Sequence, residues 1–303
     1  MRIAFQRSVW AGLILAAAFA LAPFGVTAAD VNAPAPSLSP PHALMSDADW
    51  AALFDQNKPL ADRERMLANV EQSPDLRNPK DLYALGSLYH MGKRAPGSPV
   101  DENPDKASLY LGNAAIRGSI YAMAKMAELK LDAGQYQEAM NWAQIYSHYA
   151  LLSPKTGFSP RESYAAELVS RIKSHILDTQ MAAIMKDVNS FVALNDAQIR
   201  AGMQANAQQD GDHLKRMTHH LTQPHDSRLP DTGIADYLIA FKPDGSAADV
   251  QLVDAVPRPE VGGMLRNWAK SVTLQPASQD SALRYAWVPI VIGNQDYRMD
   301  DSH

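Results

Sequence analysis

The feature that most constrains this chain is the run from Leu82 to Ala150, where helix-starting and helix-stopping residues alternate at short intervals. Asn78-Pro79 opens a helix whose apolar face is Leu82, Leu85, Leu88 and Tyr89, and Gly92 closes it. Asn103-Pro104 opens the next, with Leu109, Tyr110, Ala114 and Ala115 as its stripe and Gly118 as its stop. Asparagine accepts from the free N–H groups of a first turn. Proline fits the first helical position, and glycine tolerates the left-handed residue that ends a helix. Ser119 then starts a third helix with Ala122, Met126, Leu129 and Leu131, closed by Gly134. A fourth runs from about Gln135 to Leu152 with Ala139, Trp142, Ala143, Ile145, Tyr146 and Tyr149. Gly86 lies where a neighbouring helix can approach closely. The segment Asp105-Lys106-Ala107-x-x-Tyr110 recurs as Gln137-Glu138-Ala139-x-x-Trp142, 32 residues later. A period of that length implies stacked helical hairpins, each unable to bury its apolar face alone.

Upstream, Arg2 and Arg7 precede an apolar run from Val9 to Ala22 and small residues through Ala29, the pattern of a secretory leader over 1–29. The same run is long enough to act as an uncleaved anchor. Removal of the leader takes the formal charge from −5 to −7, which gives no electrostatic case for nucleic acid. No cysteine is present, so disulfides, thiolate metal sites and thiol nucleophiles are excluded. Residues 30–45 form a linker with four prolines between Asn32 and Pro41, extended by composition. Helices then begin at Ser46, an N-cap, and at Pro59, giving a hairpin from Asp47 to Gln72.

Ser159-Pro160 opens a long helix, with no glycine or proline from Arg161 to Ala201 and an apolar stripe of Leu168, Ile172, Ile176, Ile184, Val188 and Phe191. Helical structure is expected over 46–201, a polar linker over 202–232, and a second unit over 233–294, with a tail at 295–303. In that second unit the period changes. Tyr237 to Phe241 is a strand, Pro243-Asp244-Gly245-Ser246 a turn, and Val250, Leu252 and Val253 mark the return strand. Pro259 to Lys270 is a helix, and Leu283 to Ile292 a last strand. The fold class expected is multidomain: an all-α helical-repeat unit, then a small α+β unit with an antiparallel sheet.

Two resemblances follow from these residues. Leu85-Gly86, Tyr89, Gly92, Asp105, Lys106-Ala107, Tyr110, Ala114-Ala115, Gly118 and Ala122 resemble the Sel-one-like repeats, a subfamily of tetratricopeptide-type repeats. Leu238 to Phe241, Asp244-Gly245, Val250 to Val253, Met264 to Trp268, Leu274-Gln275-Pro276-Ala277 and Val288 to Val291 resemble the C-terminal domain of TonB-type energy transducers. Leu274 stands where that family has an aromatic. The first resemblance implies a groove for a protein partner, the second an α+β domain able to extend a sheet.

The chain carries no Gly-x-Ser-x-Gly, no His-Glu-x-x-His and no glycine-rich phosphate loop, so no enzyme and no cofactor is expected. His90, His148 and His175 fall on separate predicted helices with no partner legible beside them. His213, His219, His220 and His225 cluster near Asp210 and Asp212 and are the weak candidates for a metal, against a soluble linker as the plainer reading. The expected partner-binding residues are the helical aromatics Tyr83, Tyr89, Tyr110, Tyr121, Trp142 and Tyr146, with Tyr285 and Trp287 on the last strand. Tyr149 completes the helical set, and the plainer reading of all of them is core filling. The function expected is an exported, non-enzymatic protein–protein adaptor of the bacterial cell envelope, periplasmic or secreted. It touches membrane only if the leader stays uncleaved. The alternative is a divergent TonB-like energy transducer anchored in the inner membrane.

Overall fold

The computed structural model describes residues 42–152, 159–210, 214–215, 230–276, 282–294 and 296–297. The leader, the linker through Pro41 and the histidines at 213, 219, 220 and 225 lie outside the described residues, as does the end of the tail. The helices are α1 Asp47–Phe54, α2 Leu60–Glu71, α3 Pro79–Met91, α4 Pro104–Ala115, α5 Ile120–Asp132, α6 Tyr136–Ala150, α7 Pro160–Lys173 and α8 Asp178–Asp210. A short strand β1 Leu214–Lys215 precedes β2 Gly233–Phe241, β3 Ala247–Val256, α9 Glu260–Lys270, β4 Thr273–Leu274 and β5 Arg284–Ile292. The chain is thus helix-rich, with a small antiparallel sheet in its C-terminal part.

Local chemistry sets most helix ends. Asn78, Asn103 and Ser159 accept from Lys80 N, Lys106 N and Glu162 N, each ahead of a proline in the first turn. Gly92, Gly118 and Gly134 take positive φ where α3, α4 and α5 stop. α3 and α4 pack closely at Gly86, where a Cβ would lie 2.5 Å from Leu111 Cγ. The turn after α4 meets α8 in the same way: a Cβ on Gly202 would lie 2.0 Å from the Arg117 carbonyl oxygen, and one on Gly118 2.3 Å from Met203 N. At the other end of the chain the Asp81 carboxylate accepts from Leu44 N at 2.6 Å, tying the end of the linker to α3.

The single long helix expected from Arg161 to Ala201 is two helices. α7 ends at Lys173 and α8 starts at Asp178, with His175 N donating to Ile172 O (2.9 Å) and Ile176 N to Lys173 O (3.1 Å). The break uses no glycine or proline. Ser174 Oγ turns back to the Arg171 carbonyl at 2.8 Å, and Gln180 Oε1 accepts from Leu177 N at 2.9 Å, a capping contact three residues into the new helix. α8 then runs on to Asp210, through the beginning of the expected polar linker.

In the main sheet the order is β3-β2-β5, antiparallel throughout, with β2 in the centre. β2 starts at Gly233, four residues before the expected strand, and every residue of it is buried. β5 pairs with β2 along its whole length, so the last strand commits one side of its ladder internally. A separate pairing joins β1 to β4.

The sheet is covered on both faces. Ala235, Tyr237, Ile239, Phe241, Val288, Ile290 and Ile292 pack with Val261, Leu265 and Ala269 of α9. Tyr237 Oη donates to the Gly262 carbonyl at 2.5 Å across that layer. Ile234, Leu238, Val253, Val256, Trp287 and Val291 point the other way, into one core with the helices. The C-terminal unit expected beyond a linker therefore shares its core with the helical layer. Alternation along β2 explains this, since each set of alternate side chains carries large apolar residues that need cover. Ser163 of α7 fastens the end of β5, accepting from Asn294 N (2.8 Å) and donating to Asn294 O (2.6 Å).

The glycine contacts give a direct test. Gly202→Ala should destabilise the fold by about 1–3 kcal/mol, because the new methyl meets backbone that must move. Gly112→Ala, in the interior of α4 with nothing within 4 Å, should be neutral or stabilising by up to about 1 kcal/mol. Urea unfolding of the two variants checks the contrast.

Candidate functional site

Asp236 and Asp254 are direct cross-strand partners on β2 and β3, and neither has any exposure. Like charges directly opposite each other destabilise a sheet, and each carboxylate taken out of water costs several kcal/mol unless it is compensated. The compensation comes from the helices. Lys125 of α5, equally unexposed, donates its ammonium to both carboxylates, and also to Ser87 Oγ at 2.7 Å. α3 presents Tyr83, Ser87 and His90 at spacings of four and three, which places them on one face. Tyr83 Oη donates to Asp236 Oδ2 at 2.8 Å, and His90 Nδ1 lies 2.7 Å from Asp254 Oδ1. The sheet adds Trp287 Nε1 to Asp236 Oδ1 (3.3 Å) and Ala255 N to Asp254 Oδ1 (2.9 Å). Rings complete the enclosure: the Lys125 ammonium stands 4.6 Å from the centre of the Tyr83 ring, and Trp287 meets Trp50 and Tyr83 edge-on.

Electrostatics differ sharply within the cluster. Burial alone would raise Asp254, but His90 and Lys125 outweigh it and hold its carboxyl well below the usual range. For Asp236 burial dominates and raises the carboxyl, against the pull of Lys125. Burial would lower the Lys125 ammonium, yet the two carboxylates more than reverse that and hold it above the ordinary lysine range. Burial and then Asp236 push the Tyr83 phenol far up.

These directions decide what the arrangement can do. A serine beside a lysine suggests a nucleophile with its base, but the base must be a neutral amine. Lys125 is held as an ammonium, so it cannot take a proton from Ser87. Nor does a reactant have a route to atoms without exposure. The cluster joins two layers.

α5 makes a second such joint one turn further on. The buried Glu128 accepts from Tyr164 Oη at 2.5 Å and from both terminal nitrogens of Arg171 at 2.6 and 2.9 Å. Arg171 Nε reaches Glu167 Oε1 (3.1 Å), whose other oxygen accepts from Thr232 Oγ1 (3.0 Å) just before β2. α7 is thereby tied to α5 and to the entry of the sheet.

The aromatic residues expected to form a partner groove do not share one surface. Tyr83 and Trp287 belong to the ion cluster and are buried. Tyr146 is also buried, donating to the Arg161 carbonyl at 3.1 Å. The buried Tyr89 stacks on half-buried Tyr110 at 6.0 Å, and both phenols join Lys106 and Glu71: Lys106 donates to Tyr89 Oη and Glu71 Oε1, and Tyr110 donates to Glu71 Oε1, each at 2.9 Å. Tyr121 is half-buried with the Arg161 guanidinium 5.3 Å above its ring, and Trp142 meets Phe191 of α8 edge-on. Tyr285 is half-buried on β5. Of the three helical histidines, only His90 reaches the cluster; His148 lies edge-on to Tyr149, and His175 stacks on Tyr136 at 4.3 Å.

Sequence reasoning passed over Lys125, Asp236, Asp254, Ser87 and Glu128. The signal available was charge at positions that the apolar pattern assigns to buried faces, as in Met123-Ala124-Lys125-Met126-Ala127-Glu128-Leu129 and Ala235-Asp236-Tyr237. Comparison with family models, with curated proteins and with solved structures finds no match to this chain.

Lys125→Met should cost about 3–5 kcal/mol, because it leaves two buried carboxylates facing each other. Adding Asp236→Asn and Asp254→Asn should restore a large part of the loss. A single variant within about 1 kcal/mol of the parent in chemical unfolding would sink the assignment. The pH response of Asp254 has a definite sign. Its carboxyl is lowered in the folded chain, so its contribution is complete above about pH 4 and disappears as the pH falls through the folded value. Asp254→Asn should flatten that acid limb of the stability profile. Asp236, raised by burial, works in the opposite sense and loses stability as the pH rises through its folded value.

Proposed function

We propose that the chain is an exported, non-enzymatic adaptor of the bacterial cell envelope, with a helical layer of the Sel-one-like kind and a C-terminal unit of the TonB C-terminal kind. The observation that carries this reading is the sealed ion cluster. Lys125, Asp236 and Asp254, groups that could serve chemistry elsewhere, have no exposed side-chain surface here, and they fasten helices to sheet. Such a body suits presentation of a surface, since a preordered surface loses less freedom when a partner binds.

The same cluster limits where a partner can sit. The cluster-facing sides of α3 and α5 are taken by the chain's own sheet. Outward faces are the partner sites in this proposal. Leu109 is 58% exposed beside Tyr110 on α4, and Leu194 is 85% exposed on α8. Negative charge disfavours nucleic acid as the partner.

Photo-crosslinking residues placed at Leu109 and at Leu194 in cells test the proposal. Capture of a defined envelope protein from at least one position is the expected result, and capture from neither counts against the adaptor. N-terminal sequencing of the protein from cells separates the alternative: a mature start at Ala29 or Asp30 is expected, whereas a retained Met1 favours the anchored transducer.

A further inference from the structure

We propose that His90 makes the seal between the sheet and the helical layer respond to pH, closing it when the imidazole is protonated and loosening it when the imidazole is neutral. The cluster lies within the chain and involves no partner, and its charges do not balance on Lys125 alone. Lys125 is one cation between two carboxylates. Each hydrogen bond that these carboxylates receive among the described residues comes from a donor. Asp236 takes Tyr83 O–H, Trp287 N–H and the Lys125 ammonium. Asp254 takes the Lys125 ammonium, Ala255 N–H and His90. These donors accommodate both groups as carboxylates, and in that state the cluster has one ammonium for two negative charges.

His90 occupies the position where that charge belongs. Its Nδ1 carries a hydrogen toward Asp254 in either state, because the carboxylate only accepts. Loss of the second ring proton therefore keeps the hydrogen bond and removes the charge that strengthens it. The charged groups that act on the ring are Asp254 on β3, in hydrogen-bond contact, and Asp132 on α5. Arg94, in the turn after α3, donates to the His90 carbonyl at 2.7 Å. Arg171 is engaged by Glu128, and Asp132 interacts electrostatically with His90, Arg171 and Arg94.

Access also singles out His90. Lys125, Asp236 and Asp254 have no exposed side-chain surface, whereas 11% of the His90 side chain meets solvent. A proton can enter and leave the cluster there. Histidine is also the side chain whose charge ordinarily changes between about pH 5 and 8. The sign follows: the interface is tightest in mild acid and weakens as the pH rises.

Hydrogen exchange on the full chain tests this, with rates corrected for the intrinsic effect of pH. From about pH 5.5 to about pH 8 the amides of β3 around Asp254 should open about tenfold more readily in the parent, while α6 amides stay constant. In His90→Gln the response of β3 should vanish, and His148 and His175 remain as internal controls. An unchanged β3 opening in the parent, or the same pH response in His90→Gln, overturns the proposal. Should the variant fail to fold, the His90 ring resonance in the parent decides. Titration in step with β3 opening supports the switch, and titration out of step refutes it.

Discussion

Two carboxylates facing each other across β2 and β3 are the constraint on which the rest of the structure depends. A sheet carrying Asp236 opposite Asp254 on a buried face is not self-sufficient. It needs a cation at that face, and the only arrangement described here that supplies one is Lys125 reaching from α5. The apolar neighbours Ile234, Leu238, Val253 and Trp287 then bury themselves in the helical core. Charge and hydrophobic cover thus act at one interface, and neither layer is complete without the other.

That dependence bears on function. α3 and α5 turn Tyr83, His90 and Lys125 toward the chain's own sheet rather than toward solvent. α8 packs on α6 and on the turn at Gly118. A chain built this way presents its outer faces on a body locked from inside. The lock has one solvent-reachable member among its ionisable groups, His90.

Much of the secondary structure was legible because it is written in local chemistry. Asn78-Pro79, Asn103-Pro104 and Ser159-Pro160 start helices through their own side chains, and Gly92, Gly118 and Gly134 end them through their own backbone freedom. The break between α7 and α8 was not legible, since Ser174 and Gln180 are unremarkable residues whose capping role appears only once the chain has turned. Gly202 fell at the start of the expected polar linker over 202–232. Its requirement comes from Arg117, 85 positions away in sequence, whose carbonyl lies against it.

The candidate site divides in the same way. Sequence alone determined the order of helices, the turn at Asp244-Gly245, the change of period after residue 232 and the absence of thiol chemistry. Each of these depends on neighbours within a few residues. Only the tertiary structure decided that the aromatic residues are dispersed, that the last strand lies beside the first of its sheet, and that Lys125, Asp236, Asp254 and His90 meet. Those four residues are separated by up to 164 positions, and a buried charge is tolerated or forbidden according to what the fold brings to it. No local pattern carries that information.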